Sequence, residues 1–143
     1  MSIGTYIQHL EAQVSTVAAF TRGGTTFVGL TVGAQNIDPT NRDLPRPAAW
    51  VVYIGDSVLD STPMNPCATT ISRNFVVKVL LDYTNDTDLV SGTQLELLDL
   101  VVAAVQGSEP KVGSKWAYNG QALTELNADR MVWEQDYSVI TTI

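Results

Sequence analysis

Apolar positions near the start of the chain recur at helical spacing. Ile3, Ile7, Leu10, Val14 and Val17 fall on one stripe, which predicts an amphipathic helix over residues 3–18. Ser2 is placed to cap its first turn, and Arg22-Gly23-Gly24 supplies the break that ends it. The period is then lost. Residues 26–32 have the composition of a short strand, but the run from Gln35 through Asp38, Pro39, Arg42 and Asp43 to Pro45 is polar and rich in breakers. The stretch 25–47 therefore reads as an irregular surface connection, of a length that is often functional.

Residues 48–54 (AAWVVYI) are apolar on both faces, as an interior strand requires. A second surface loop is expected over 55–69, which contains Pro63 and Pro66. Residues 75–81 form another β-rich run, with Lys78 its only charge. An acidic turn over 82–88 leads to a second helix. Ser91 and Gln94 match a capping box there, and Val90 with Leu95 matches a hydrophobic staple. Leu95, Leu98, Val102 and Val105 make one stripe, which Leu97, Val101 and Ala104 widen to about half the circumference at roughly 100° per residue. Gly107 is a natural stop.

The last third reads as β. Tyr118-Asn119-Gly120-Gln121 has the form of a two-residue hairpin between strands over 115–118 and 121–126. After a turn at Asn127-Ala128-Asp129, residues 130–140 alternate. Met131, Trp133, Tyr137 and Val139 point one way, and Glu134, Asp136 and Ser138 the other, with Gln135 interrupting the apolar face and Val132 and Ile140 the polar one. The expected fold is α+β: two helices packed on a mostly antiparallel sheet, in the order α-β-β-α-β-β-β, as a single domain over 1–143.

Composition agrees with a packed domain. Of 143 residues, 45% are hydrophobic and 16% charged, too apolar for disorder. No apolar run reaches the roughly 18 residues of a membrane span. The first residues lack the basic-then-apolar order of a secretory leader. One cysteine, Cys67, permits no internal disulfide, which fits a reducing compartment. A net charge of −7 without a basic cluster disfavours nucleic-acid binding, since phosphates are held by lysine and arginine.

Little in the chain could catalyse a reaction. The single histidine, His9, sits about 120° from the apolar stripe of the first helix, given roughly 100° per residue, and reads as solvated. Cys67 lies between prolines and polar residues with no partner base in reach of the pattern. One Cys and one His cannot fill a zinc site. Asp82, Asp86 and Asp88 loosely resemble a calcium loop but lack its glycine and its bidentate glutamate. Glu134 and Asp136 share one strand face without an opposed carboxylate. They serve better as a polar face, or as a contact for Arg73 or Arg130 between subunits. The glycines match no nucleotide fingerprint. No enzymatic activity and no cofactor are expected.

A positive pointer comes from the second half. Leu97-Leu98-Asp99-Leu100-Val101-Val102-Ala103-Ala104-Val105 runs into Gly107-Ser108-Glu109-Pro110. Trp116-Ala117-Tyr118-Asn119-Gly120 follows, then Leu123, Leu126, Arg130 and Met131-Val132-Trp133. This series resembles the tail terminator (tail completion) family of tailed bacteriophages. Trp50-Val51-Val52-Tyr53-Ile54 and Asn74-Phe75-Val76-Val77-Lys78-Val79 look like its two central strands. The resemblance spans about 48–143, with the first helix compatible and 22–47 without counterpart.

The resemblance implies a virion protein assembled in the host cytoplasm. Such proteins form a homo-hexameric ring that caps the tail tube, stops its polymerisation and meets the head-completion (neck) protein. DNA passes through without specific binding, which an acidic chain suits, and no membrane is involved. Contact with a sheath protein is expected only if the tail has one. Leu97, Val101, Arg130, Trp133, Glu134, Asp136 and Tyr137 are the candidate subunit-contact residues. Asp38, Arg42, Asp43, Arg46 and Asp60, in the two long loops, are candidates for touching neighbouring tail and neck proteins. Other readings are a head–tail connector or tail tube subunit, a cytosolic α+β enzyme with an unrecognised site, and a generic protein-binding adaptor.

Overall fold

A computed structural model of the chain describes residues 2–30, 46–61, 69–82, 95–126 and 130–143, the side chains of Arg22, Leu30, Asp60 and Ser61 excepted. The first helix, α1 (Ile3–Ser15), is capped by Ser2, whose side chain accepts from the Thr5 amide. It buries Tyr6, Ile7, Leu10 and Val14 and stops at Thr16, short of residue 18. Val17 and Phe20 remain buried through a 3₁₀ turn, Ala18–Phe20, so the stripe outlasts the helix. A two-residue hairpin, β1 (Thr21–Arg22) and β2 (Thr25–Thr26), turns at the two glycines.

Five further strands make one sheet: β3 (Val28–Leu30), β4 (Ala48–Ser61), β5 (Thr69–Asp82), β6 (Ala117–Leu126) and β7 (Arg130–Thr142). Their spatial order is β3-β4-β5-β7-β6. All neighbours are antiparallel except β3 and β4, which run parallel. The second helix, α2 (Glu96–Val105), lies between β5 and β6 in sequence. Among the described residues the class is thus α+β with two helices, but the expected order α-β-β-α-β-β-β is wrong. Five described strands precede α2 and two follow it, and the main sheet is mixed.

Three physical causes account for the difference. The connection expected over 25–47 begins as structure, because Val28–Leu30 pairs with Ala49, Trp50 and Val51 at the edge of the sheet. Residues 31–45 lie outside the described residues.

The loop expected over 55–69 begins as the outer half of β4, and β5 has already started at Thr69. Register shifts between Tyr53 and Gly55 and between Val58 and Asp60 break the alternation that would have revealed a strand. Its polar residues are paired: Gly55, Asp56 and Ser57 sit opposite Asn74, Arg73 and Ser72.

The Asn119-Gly120 hairpin does not form, and β6 runs straight through it. A tight turn of the favoured type needs positive φ at both central residues. Here only Gly120 is positive, at φ 130, and the extra residue is absorbed as a bulge against β7. Continuous pairing with a strand of 13 residues outweighs one local turn. The turn expected at 127–129 and the capping box at Ser91–Gln94 lie outside the described residues. Gly107 adopts φ 81 just past α2, and its amide donates to the Trp116 carbonyl, steering the chain toward β6.

One face of the sheet carries the main core. Phe75, Val77, Val79 and Leu81 of β5 and Met131, Tyr137 and Val139 of β7 meet the stripes of both helices there. Phe75 and Trp116 cross edge to face at 5.1 Å, with Tyr6 against both rings. The other face holds a smaller buried cluster of Ala48, Trp50, Leu80 and Val132, with Phe27 and Val52 packed on it.

Candidate interaction surfaces

The alternation of β7 delivers its residues to two different environments. On the helix-covered face, Gln135 is fully buried. Its Nε2 donates to the Leu98 carbonyl (2.9 Å) and to Gln121 Oε1 (3.0 Å), while the Tyr137 hydroxyl donates to Gln135 Oε1 (2.8 Å). One amide therefore ties α2, the edge strand β6 and a core tyrosine together. Burial, and secondarily the nearby Tyr118, pushes the Tyr137 hydroxyl far above its ordinary range, so it stays a donor.

On the opposite face Glu134 lies directly across from Lys78 and pairs with it at 3.2 Å, and Asp136 is exposed beside it. At one end of this face two further pairs meet. Arg130 donates to Glu125 at 2.8 Å, and Arg46 reaches Asp82 at 3.2 Å. At the far end of the sheet, Arg73 on the helix-covered face faces Asp56 at 3.5 Å and lies over the Tyr6 ring. Arg73 and Arg130 are thus each paired with a carboxylate of their own chain, and neither with Glu134 or Asp136.

The other expected contact residues divide sharply. Leu97, Val101 and Tyr137 are buried inside the chain, and Trp133 is partly buried against the same core. The apolar arc of α2 is therefore filled largely by its own sheet and by α1. Glu134 and Asp136 do face outward. Of the loop residues, Asp38, Arg42 and Asp43 lie outside the described residues. Asp60 belongs to β4, though its side chain is not described, and Arg46 is engaged with Asp82.

His9 is not the solvated residue expected. It is half-buried, stacks on Trp116, and its Nδ1 accepts from the Trp116 indole N–H at 3.0 Å. Burial lowers its pKa, so the neutral acceptor form is favoured. A general base needs that lone pair for a substrate.

Sequence reading also missed a group of exposed apolar residues at one end of the sheet. Ile54 (62%), Val58 (68%) and Leu59 (54%) stand on the outer half of β4, with Ile140 and Ile143 at the same end of the sheet. A half-open concavity of about 370 Å³ runs along Ile54, Asn74, Asn119 and Asp136 on the open face. Nothing in it pairs a nucleophile with a base, and among the described residues no three potential metal-ligating side chains gather. What this surface offers is strand edges, apolar side chains and ion pairs, the materials of protein contact.

A family model for the phage tail terminator protein matches residues 2–143. The chain belongs to the phage tail terminator family. The match extends the resemblance over α1 and through residues 22–47, which motif comparison could not align. No curated protein matches the chain. A terminator is a structural component of the virion tail, and the family is not one of enzymes. No helix among the described residues is long and apolar enough to cross a membrane.

Proposed function

We propose that this terminator assembles as a homo-hexameric ring on the end of the tail tube. There it stops polymerisation of the tube protein and presents a surface to the head-completion protein, and DNA passes through the ring. The observation that carries this reading is the family match over nearly the whole chain. Surface chemistry supports it. The net charge of −7 would let DNA slide by without being held. The exposed apolar residues at the outer half of β4 need covering in an assembly.

The stretches 25–47 and 55–69, with Asp38, Arg42, Asp43, Arg46 and Asp60, are assigned to contacts with neighbouring tail and neck proteins, and with sheath protein where a tail has one. Glu134 and Asp136, as outward residues of β7, and Arg130 and Trp133 beside them, are assigned to the neighbourhood of a subunit contact.

Tail assembly tests this directly. Tube protein polymerised without the terminator should give tubes of uncontrolled length that join no heads, and added terminator should restore both length and joining. Tubes of normal length that join heads in its absence would refute the reading. In native mass measurement, a species of about six times 15.5 kDa is expected, and a monomer that persists even with tube protein present would refute the ring.

A further inference from the structure

Two strand edges are open among the described residues. β6 is the last strand of the sheet, so Ala117 to Thr124 have no strand outside them. At the other side, β3 covers only Ala49, Trp50 and Val51, which leaves the outer half of β4 bare. Single domains blunt such edges with lysine, proline, other charges or bulges. Neither lysine nor proline occurs in 117–124 or in 55–61, where Asp56 and Asp60 are the charges, and Asp56 is paired with Arg73 inside the sheet.

We propose that copies of the chain join by laying the outer edge of β6 along the outer half of β4 of the next copy, so that the sheet continues from subunit to subunit. This rests on the ring reading above and specifies how the ring is sewn together.

Strand direction is the first argument. From β4 through β5 and β7 to β6, four strands alternate in direction. An even run puts its two edges in opposite directions. A copy rotated about an axis along the strands therefore brings its β4 antiparallel to β6, with its helices still on the same side. No face has to be turned over.

The second argument is the matching of bends. β4 carries extra residues at Ile54 and Leu59, and β6 at Asn119 and Thr124, as the register shifts show. Each pair is separated by five positions. A bulge bends its strand and increases its twist. Two edges bent at equal intervals can follow one another where a straight strand could not.

Side chains agree. Placing Ser57 opposite Ala122 puts two residues of the open face together, since these pair in their own sheets with Ser72 and Glu134. That register brings the bulges within one residue of each other and sets Val58 diagonal to Leu123, both exposed. The two patches are different, so the contact is head to tail, the kind that closes into a ring when the rotation from copy to copy divides a full turn, whereas β6 against β6 would stop at two copies.

Directly opposed cross-strand Cβ atoms lie roughly 4.5–5.5 Å apart, close enough for an induced disulfide. In a Cys67→Ser background, the double variant Ser57→Cys/Ala122→Cys should, on mild oxidation, give a ladder of covalent multimers. A mixture of the two single variants should give covalent dimers only, and neither single variant alone any. Dimers from Ala122→Cys alone would overturn the proposal in favour of β6 against β6. Intact rings that never cross-link, with Val58→Cys/Gln121→Cys tried beside Ser57→Cys/Ala122→Cys, would overturn edge pairing while leaving the ring itself standing. Monomers at every concentration would sink both. As a second measurement, Val58→Lys and Leu123→Lys each change an exposed side chain and should keep the far-ultraviolet circular dichroism, yet weaken self-association on the order of tenfold, about 1.4 kcal/mol. Unchanged association in both would also overturn the proposal.

Discussion

The two faces of the sheet are made by the same strands and behave as different materials. On one, α1 and α2 bury Phe75, Val77, Tyr137 and Val139 in a continuous core, and even the polar Gln135 has its amide nitrogen and oxygen bonded. On the other, one residue along, Lys78, Glu134 and Asp136 remain partly or fully exposed beside a small cluster around Trp50. The first face specifies the subunit. The second face and the strand edges are the surfaces proposed above to meet neighbours. Stability and assembly can therefore be altered separately, and substitutions should show it.

The largest effect is expected in the closed core. Phe75→Ala removes a ring packed against Tyr6, Tyr53 and Trp116 and should cost about 3–5 kcal/mol in denaturant unfolding. A loss below about 1 kcal/mol would mean that this face is not the stabilising one. Next comes Gln135→Leu, which leaves the Tyr137 hydroxyl and the Gln121 amide without their partner and should cost about 1–3 kcal/mol. Adding Tyr137→Phe should recover part of that loss, and a strictly additive double variant would show that the two residues do not act as a unit.

A smaller, pH-dependent effect belongs to His9. Its folded pKa is lowered by burial, so the unfolded chain binds the proton more readily below the ordinary value of 6.5. Its contribution should be full above pH 6.5 and decline as pH falls from there through the lowered folded value. His9→Gln should flatten that part of the stability profile. An unchanged profile would place the dependence on other groups. The smallest effect is expected from the open face. A Lys78/Glu134 double-mutant cycle should give a coupling of about 0.2–1 kcal/mol, and Asp136→Ala should scarcely alter unfolding. A large loss from Asp136→Ala would erase the distinction between the faces.

The closed face was the legible one. Its helices announced themselves through Ile7, Leu10 and Val14 and through Leu98, Val101 and Val105, because burial on one side forces a period. The alternation of β7 likewise placed Glu134 and Asp136 outward. Legibility failed where two local signals conflicted with long-range pairing. Asn119-Gly120 carries a turn signal that β7 overrides, and the bulges at Ile54 and Leu59 disguise half of a long strand as a loop. Gln135 read as an interruption, since no sequence pattern reveals that Leu98, Gln121 and Tyr137 converge on it. His9 read as solvated for the same reason, its partner Trp116 being distant in sequence. Of the contact candidates, Leu97 and Val101 lie on an apolar arc of about half the helix circumference, more than the sheet alone covers. α1 takes up that surplus.

The length of the central strands has a mechanical meaning. β4 and β5 have 14 residues each and β7 has 13, so each spans roughly 43–46 Å at about 3.3 Å per residue. A pull along the strands loads the whole ladder of hydrogen bonds at once, and they must fail together. A pull across the strands opens the same ladder one rung at a time. The subunit is therefore stiff in one direction and peelable in the other. Whichever load the tail imposes, the chain will bear it best when it runs parallel to β5.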